Sequence, residues 1–329
     1  ADTRKVYFLA RGNSNAKQGL ASPGFLRVLT SVNTPEERWL VSTEAANAKP
    51  APRPPRAAVA DWLTDHQKGA GHLLARVIVN RLWQHHMGRG IVTTPSDFGK
   101  QGVAPSHPEL LDFLASELIR GGWKLKPIHK LIMLSAVYRQ SGESNPAAAK
   151  ADPDNQLMWR RRAVRLDAEA IRDTLLAVSG TLDKTMFGKG TLNQAIPRRS
   201  IYLTVKRGNL IPMLQLFDAP DAIQSIGHRD VTTVPPQALA LMNSLLARQL
   251  AEKFAKRIQP SSSMSPEKVV DSAYAIALSR PPTDAERQQM ADFIKKQAAS
   301  YSAEGKAMER AVADFCQLML CLNEFIFID

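Results

Sequence analysis

The chain has 329 residues, of which 44% are hydrophobic, and it carries a net charge of +12. This composition excludes a mainly disordered chain and is sufficient for one large domain or two smaller ones. No apolar run approaches the roughly 18 residues that cross a bilayer, so we expect no membrane span. The charge predicts an acidic partner, and nucleic acid, an anionic polysaccharide, an anionic membrane surface and an acidic protein all remain open.

The N-terminal segment is predicted to be extended and to lie outside the main domain. It starts with Ala1, and no basic and apolar leader follows, which favours a processed or excised fragment. A short strand is expected from Val6 to Ala10. The sequence KPAPRPPR at 49–56 favours a polyproline-like tether, because proline fixes φ and cannot donate to a ladder. We therefore predict a connector and tether at 1–56 and a helical domain at 57–329.

The first strong helix pattern, at 77–90, has the sequence VIVNRLWQHHMGRG. Apolar residues cover most of its circumference, which predicts a largely buried helix. Four polar residues form a stripe along it: Asn80, Arg81, Gln84 and His85. Because buried polar groups must be hydrogen-bonded, we expect this stripe to face a polar network or a polar cavity.

The next elements are also mainly helical. Ser106 to Glu109 has the pattern of a capping box, and the helix that it opens is expected to stop at Gly121 and Gly122. A further helix is predicted after Pro127, and Asp167 is expected to cap another that ends at Gly180.

The alternation in SIYLTVK, from Ser200 to Lys206, predicts the clearest strand of the chain. The segment from Phe217 to Val234 lacks periodicity and is predicted to be a long, ordered loop. The last third favours a helical bundle with helices at 237–258, 266–278, 283–301 and 308–322, the third opened by a capping box from Thr283 to Glu286. The predicted fold class is mainly α, a multi-helix orthogonal or bundle domain with a few short strands.

No strong catalytic or metal motif is present. The chain has no HExxH, P-loop or CxxCH sequence, so we expect no metal site and no cofactor in this chain. Cys316 and Cys321 lie five residues apart on different helix faces and are expected to be free thiols.

Several stretches together resemble one known family, the planctomycete-type PSD domain, a bacterial domain of unknown function. The resemblance is collinear from about Arg56 to the last residue and includes ARVIVNRLWQHHMGRGIVTTPSDFG from Ala75, SHPELLDFLASELI from Ser106, RRRAVRLDAEAIRDTLLAVSG from Arg160, DVTTVPPQALALMNS from Asp230 and LNEFIFID from Leu322. It implies a periplasmic or otherwise extracytoplasmic protein in which this domain follows an upstream domain and often a cytochrome c-like haem domain. It implies no mechanism.

The sequence favours two functions, and nucleic-acid binding, which predicts salt-dependent retention on DNA, is a third reading. The first is a binding or assembly module that packs on its upstream domain and presents a basic, polar groove to an anionic polysaccharide or an acidic protein. The groove would be formed by Asn80, Arg81, Gln84, His85, Arg89, Asp97, Arg165 and Arg207, and Asp218 is a further candidate for ligand binding. Nucleic acid is not expected as the partner, because an aromatic-interleaved basic patch is missing from the sequence.

The second function is an enzyme that acts on a carbohydrate polymer and is coupled to electron transfer. In that case His85 would be the general base, Asp97 would orient it, and Arg81 or Arg165 would stabilise an anion.

Overall fold

The computed structural model describes residues 5–22, 24–42, 51–223, 225–259, 264–301 and 305–328. These residues form fifteen helices and six short strands, which confirms the mainly α fold class. The chain divides into two compact units, residues 1–139 and residues 140–329. Within the described ranges, no helix is both long enough and apolar enough to cross a membrane.

The first unit contains six helices and four strands. They are β1 (Tyr7–Leu9), β2 (Lys17–Leu20), α1 (Glu37–Leu40), β3 (Val41–Ser42), β4 (Ala51–Pro52), α2 (Pro55–Thr64), α3 (Gly71–Met87), α4 (Pro108–Arg120), α5 (Leu125–Leu134) and α6 (Ala136–Arg139). Antiparallel pairs join β1 to β2 and β3 to β4. The strand predicted near Val6 is therefore present as β1.

The segment 49–56, predicted to be an extended tether, is extended only in part of its described residues. Lys49 and Pro50 lie outside the described residues. From Ala51 the chain is extended, as predicted, but β4 pairs with β3 and Pro55 already begins α2. Proline is favoured in the first turn of a helix because the N–H that it lacks has no partner there. The described part of this segment is thus built into the first unit.

An aromatic cluster joins the N-terminal segment to α2. The indoles of Trp39 and Trp62 are both buried, and the Phe25 ring lies 5.1 Å and 5.4 Å from them. The Asp65 carboxylate, just after α2, accepts hydrogen bonds from the Trp39 indole and from Arg38. Residues from the predicted connector therefore share one small core with the first helix that follows it.

Helix α3 packs against α4 through an apolar face on each helix. The predicted capping box at the start of α4 is wrong. The Ser106 hydroxyl donates to the Ile91 carbonyl at 3.3 Å, and the helix N-cap is His107, whose side chain makes no capping bond. The predicted stop is correct, because α4 ends at Arg120 and Gly122 has a φ of 64°.

The second unit contains nine helices and two strands. They are α7 (Pro146–Ala151), β5 (Val164–Arg165), α8 (Ala168–Val178), α9 (Pro212–Leu216), α10 (Pro235–Asn243), α11 (Leu245–Ile258), α12 (Pro266–Ala277), α13 (Asp284–Ser300), α14 (Ala307–Leu320), α15 (Asn323–Ile326) and β6 (Phe327–Ile328). Strand β5 pairs antiparallel with β6, so the segment after Arg160 meets the end of the chain.

The core of the second unit is centred on α14, whose Phe315, Cys316 and Met319 are fully buried. Helices α8, α11, α12 and α13 contribute to the same cluster. Both cysteines are free, as predicted, and burial raises the pKa of the Cys316 thiol. The capping box at Thr283 is confirmed: its hydroxyl accepts from the Glu286 N–H at 3.2 Å, and Glu286 accepts from the Thr283 N–H at 2.7 Å.

Two predicted elements of this unit are wrong in detail. Ser200–Tyr202 is a turn of 3-10 helix, and only Leu203 of the predicted strand forms a bridge, to Thr191. Ile201 and Val205, which should share the buried face with Leu203, are 73% and 75% exposed. The predicted helix at 237–258 is broken at Ser244, which leaves helical geometry and caps α11 by accepting from the Ala247 N–H.

Candidate functional site

Asn80 holds α3 to the segment that follows it. Its side chain is fully buried, and its amide forms two hydrogen bonds with the backbone of Val92: Nδ2 donates to the carbonyl at 3.0 Å and Oδ1 accepts from the N–H at 2.8 Å. A β-carbon at Gly90 would lie 2.5 Å from the Val92 carbonyl oxygen, so this close approach requires glycine. The Asn80 side chain therefore stabilises the backbone at Val92 and does not line an open groove.

The next turn of α3 faces solvent. Arg81 and His85 are exposed and lie one helical turn apart on the same face, while Gln84 beside them is half-buried. The helix ends at Gly88, which has a φ of 76°, and Arg89 just beyond is also exposed. The expectation that the whole polar stripe faces a polar network or a polar cavity is therefore wrong, because Arg81 and His85 are exposed while Asn80 is buried and Gln84 half-buried.

We call the exposed Arg81 and His85 of α3, together with the exposed Arg89 two residues after the end of this helix, the basic face. Across the part of the chain that the structure describes, no carboxylate forms an ion pair with Arg81 or Arg89. Arg76, five residues before Arg81, is in contrast paired with Asp112 at 2.9 Å. The positive charge of the two arginines is thus not neutralised by the described part of the chain.

Asp97 shapes the loop between α3 and α4. Its Oδ1 accepts from the Gly99 N–H at 2.8 Å, and its carbonyl accepts from the Thr94 hydroxyl at 2.9 Å. A β-carbon at Gly102 would lie 2.0 Å from the Asp97 carbonyl oxygen. Among the described residues no hydrogen bond joins Asp97 to His85, so the base and orienter pair of the enzymatic hypothesis stays a prediction.

Arg165 and Asp218, in the second unit, are brought together. Arg165 is buried, and its guanidinium donates to Asp218 at 2.7 Å and to the carbonyls of Phe217 and Thr232 at 3.1 Å and 2.5 Å. Asp218 also accepts from the N–H and the hydroxyl of Thr232, both at 2.8 Å. Burial would raise the pKa of Asp218, but these hydrogen bonds lower it. The ion pair between Arg165 and Asp218 therefore holds the predicted long loop against β5.

The remaining predicted residue of this unit, Arg207, is exposed in a turn that closes between Lys206 and Asn209. Asn80, Arg81, Gln84, His85, Arg89 and Asp97 belong to the first unit, whereas Arg165, Arg207 and Asp218 belong to the second. Apart from the buried Asn80, a single groove formed by the other seven residues named for it stays a prediction, as does ligand binding by Asp218.

Two buried or half-buried ion networks on α8 were not predicted as functional. The Glu169 carboxylate accepts two hydrogen bonds from the Arg229 guanidinium, at 2.6 Å and 3.1 Å, which hold the loop against α8. Burial would raise the pKa of Glu169, but Arg229 lowers it, and Glu169 in turn raises the pKa of Arg229. Both groups therefore stay ionised at neutral pH.

The second network is centred on Arg172, which is buried and donates to the carbonyls of Gln194, Ile196 and Arg198. Burial lowers the pKa of this guanidinium. The sequence signal for both networks was the unusual density of charges in RLDAEAIRD at 165–173, which a salt-bridged first turn explains equally well. The hydrogen-bond partners of Glu169 and Arg172 lie more than twenty residues away in the sequence. Only these partners show that the two side chains anchor loops and do not merely cap the helix.

Two histidine side chains come together in the first unit. Nε2 of His86 and Nδ1 of His129 lie 2.8 Å apart and share a hydrogen bond in the first unit. In the described ranges no group of three or more His, Cys, Asp or Glu side chains is arranged to hold a metal ion.

These features define a mainly helical protein of two compact units with internal ion networks and an exposed basic face. Residues 55–294 match the model of the family PSD1, whose description is "Protein of unknown function (DUF1553)". The match begins at the first residue of α2 and covers more than half of the chain, so the chain belongs to this family. No curated protein and no solved structure matches the chain.

Proposed function

We propose that this chain is a binding or assembly module whose basic face contacts an anionic group of a ligand or of a partner domain. The observation that carries the proposal is the exposure of Arg81 and Arg89 without a described carboxylate beside them. Guanidinium groups present paired donors that match carboxylate, sulfate and phosphate geometry. Exposed His85 adds a further hydrogen-bonding group on the same face.

The scaffold beneath the basic face favours binding. Ala75, Val79 and Trp83 bury the opposite side of α3, and the bonds from Asn80 to Val92 fix the end of the helix. A rigid scaffold reduces the ordering cost of association, because only the side chains must be immobilised.

The cellular setting of the proposal comes from the family resemblance alone. It favours an extracytoplasmic module that follows an upstream domain of the same protein, with a cytochrome c-like haem domain nearby. The anionic partner would then be a polysaccharide or an acidic protein surface. Fractionation of the native cells, with detection of the chain in the periplasmic fraction, tests this part; detection only in the cytoplasm would contradict it.

The enzymatic alternative lacks a comparable observation. His85 is exposed, and Asp97 uses one carboxylate oxygen to hold its own turn. A general base is usually tuned by burial or by a close charged partner. Because His85 is exposed and forms no ion pair with a described carboxylate, the proposal is limited to binding.

Retention on an immobilised sulfated polysaccharide tests the binding proposal. We expect the double variant Arg81→Gln/Arg89→Gln to elute at lower salt than the wild type. The control Arg27→Gln/Lys253→Gln removes the same charge from exposed positions outside the basic face and should elute near the wild type. Equal shifts for the two double variants would mean that net charge, and not this face, causes retention. A duplex DNA column run in parallel separates nucleic acid from the other anions.

A further inference from the structure

A cavity of about 360 Å³ lies within the second unit, between α8, the segment 200–211, α9 and the loop residues 219–222, 226 and 229. Its volume is within the range of small-molecule sites in proteins. The wall is mainly apolar and includes Leu203, Ile211, Leu214, Ala219, Pro220 and Ile226. Of these, Leu203 and Ile211 are buried.

The Glu169 and Arg229 ion pair forms one side of this cavity. Glu169 comes from α8 and Arg229 from the loop, so the two hydrogen bonds between them hold the loop in place. Arg165 and Asp218 anchor the same loop near its start. The cavity is therefore bounded by a loop that is fixed at both ends, which is typical of a preformed site.

The charges along the wall cancel. Glu169 and Asp221 are acidic, whereas Lys206 and Arg229 are basic. Arg229 is already satisfied by Glu169, and Asp167 lies 3.6 Å from it. An ionic ligand would have to compete with these pairs and lose its hydration, so the wall disfavours a net charge on the ligand.

We propose that this cavity binds an uncharged, mainly apolar small molecule. The apolar wall supplies the binding free energy through burial of ligand surface. Exposed Asn209 and Gln215 at the edge provide hydrogen-bonding groups for a polar substituent. This site is independent of the basic face, because it lies in the other unit and recognises a different chemistry.

The test compares two matched fluorescent probes, neutral N-phenyl-1-naphthylamine and its sulfonated analogue 1-anilinonaphthalene-8-sulfonate. We expect saturable binding of the neutral probe to the wild type. Ala219→Phe fills the cavity and should weaken this binding by at least about tenfold. The control Ala177→Phe, an exposed position on α8 outside the cavity wall, should stay within about twofold of the wild type.

Methyl NMR of the wild type provides a readout that needs no variant. The neutral probe should shift the methyl signals of Leu203, Ile211 and Leu214. Shifts confined to the exposed Leu239 and Met242 of α10 would place the probe on an external apolar surface and overturn the proposal. Absence of saturable binding, or equal binding of the sulfonated probe in the cavity, would also overturn it.

Discussion

Asn80 illustrates what sequence periodicity predicts about a single polar residue. A polar side chain in an apolar helix must be hydrogen-bonded if it is buried, and Asn80 meets this condition through Val92. The same reasoning failed for Arg81 and His85, which are exposed. Periodicity assigns residues to a face of the helix, but whether another segment covers that face depends on tertiary packing.

Replacing Asn80 should destabilise the first unit. Asn80→Ala leaves the buried N–H and carbonyl of Val92 without partners, so we expect a loss of about 2 to 4 kcal/mol in the free energy of unfolding. Urea unfolding followed by tryptophan fluorescence measures it. Arg81→Ala, at an exposed position on the same helix, should change stability by less than about 0.5 kcal/mol. Equal small effects of the two substitutions would show that the Asn80 bonds contribute nothing.

At the scale of elements, helices were predicted better than caps and strands. The Thr283 box formed, whereas the Ser106 box did not, because His107 is the N-cap of α4 and Ser106 lies one residue before it, where its hydroxyl donates to the Ile91 carbonyl fifteen residues away. The alternation in SIYLTVK failed because a strand needs a neighbouring strand, and only Leu203 finds a bridge partner. A local sequence pattern cannot predict the contact of Ser106 with Ile91 or that of Leu203 with Thr191, because each joins residues that are distant in the sequence.

Acid should weaken the capping network of α13. Hydrogen bonds from Arg280 and from the Thr283 N–H lower the pKa of Glu286 to about 2. This carboxylate therefore adds stability above its ordinary pKa, and that stability is lost as the pH falls towards 2. We expect Glu286→Gln to cost about 1 kcal/mol at pH 7, allowing for solvent screening, and progressively less below pH 4.

Thermal unfolding at a series of pH values measures this difference. Glu309→Gln is the matched control, because Glu309 pairs with Lys306 only at 3.6 Å on the surface. A stability difference between Glu286→Gln and the wild type that is the same at pH 7 and pH 2.5 would contradict the network.

The loop at 217–234 should depend on Arg165. Arg165→Met leaves Asp218 without its buried cation, and removal of one partner of such a pair costs about 3 to 5 kcal/mol. We expect faster tryptic cleavage after Arg229, measured by mass spectrometry, while Arg207→Met leaves the Arg229 cleavage rate unchanged. Adding Asp218→Asn to Arg165→Met should recover part of the loss. Unchanged cleavage after Arg229 in Arg165→Met would show that the loop is held by other contacts.

At the scale of the whole molecule, fold class and family were predictable, and the predicted division into domains stays a prediction. The proline-rich segment suggested a boundary near residue 56, whereas the compact units divide after Arg139. The aromatic cluster around Trp39 and Trp62 explains part of the difference, because it joins residues on both sides of the predicted boundary. The family match from 55 to 294 includes residues of both units.

The chain has 43 basic and 31 acidic residues, and internal ion pairs, which use one residue of each sign, leave this excess of positive charge unchanged. Exposed arginines without a described partner, such as Arg81 and Arg89, therefore give more information about binding than the net charge does. A long-range field steers any anion to the chain, but localised binding requires cations in fixed positions.

The most direct test of the basic face is the salt dependence of binding to a sulfated oligosaccharide, measured by fluorescence anisotropy for the wild type and for Arg81→Gln/Arg89→Gln. Each lost cationic contact should reduce the slope of log Kd against log salt by about one, so we predict a decrease of about two for the double variant. Parallel lines with the same slope would contradict the account, because they would place the bound anion elsewhere on the molecule.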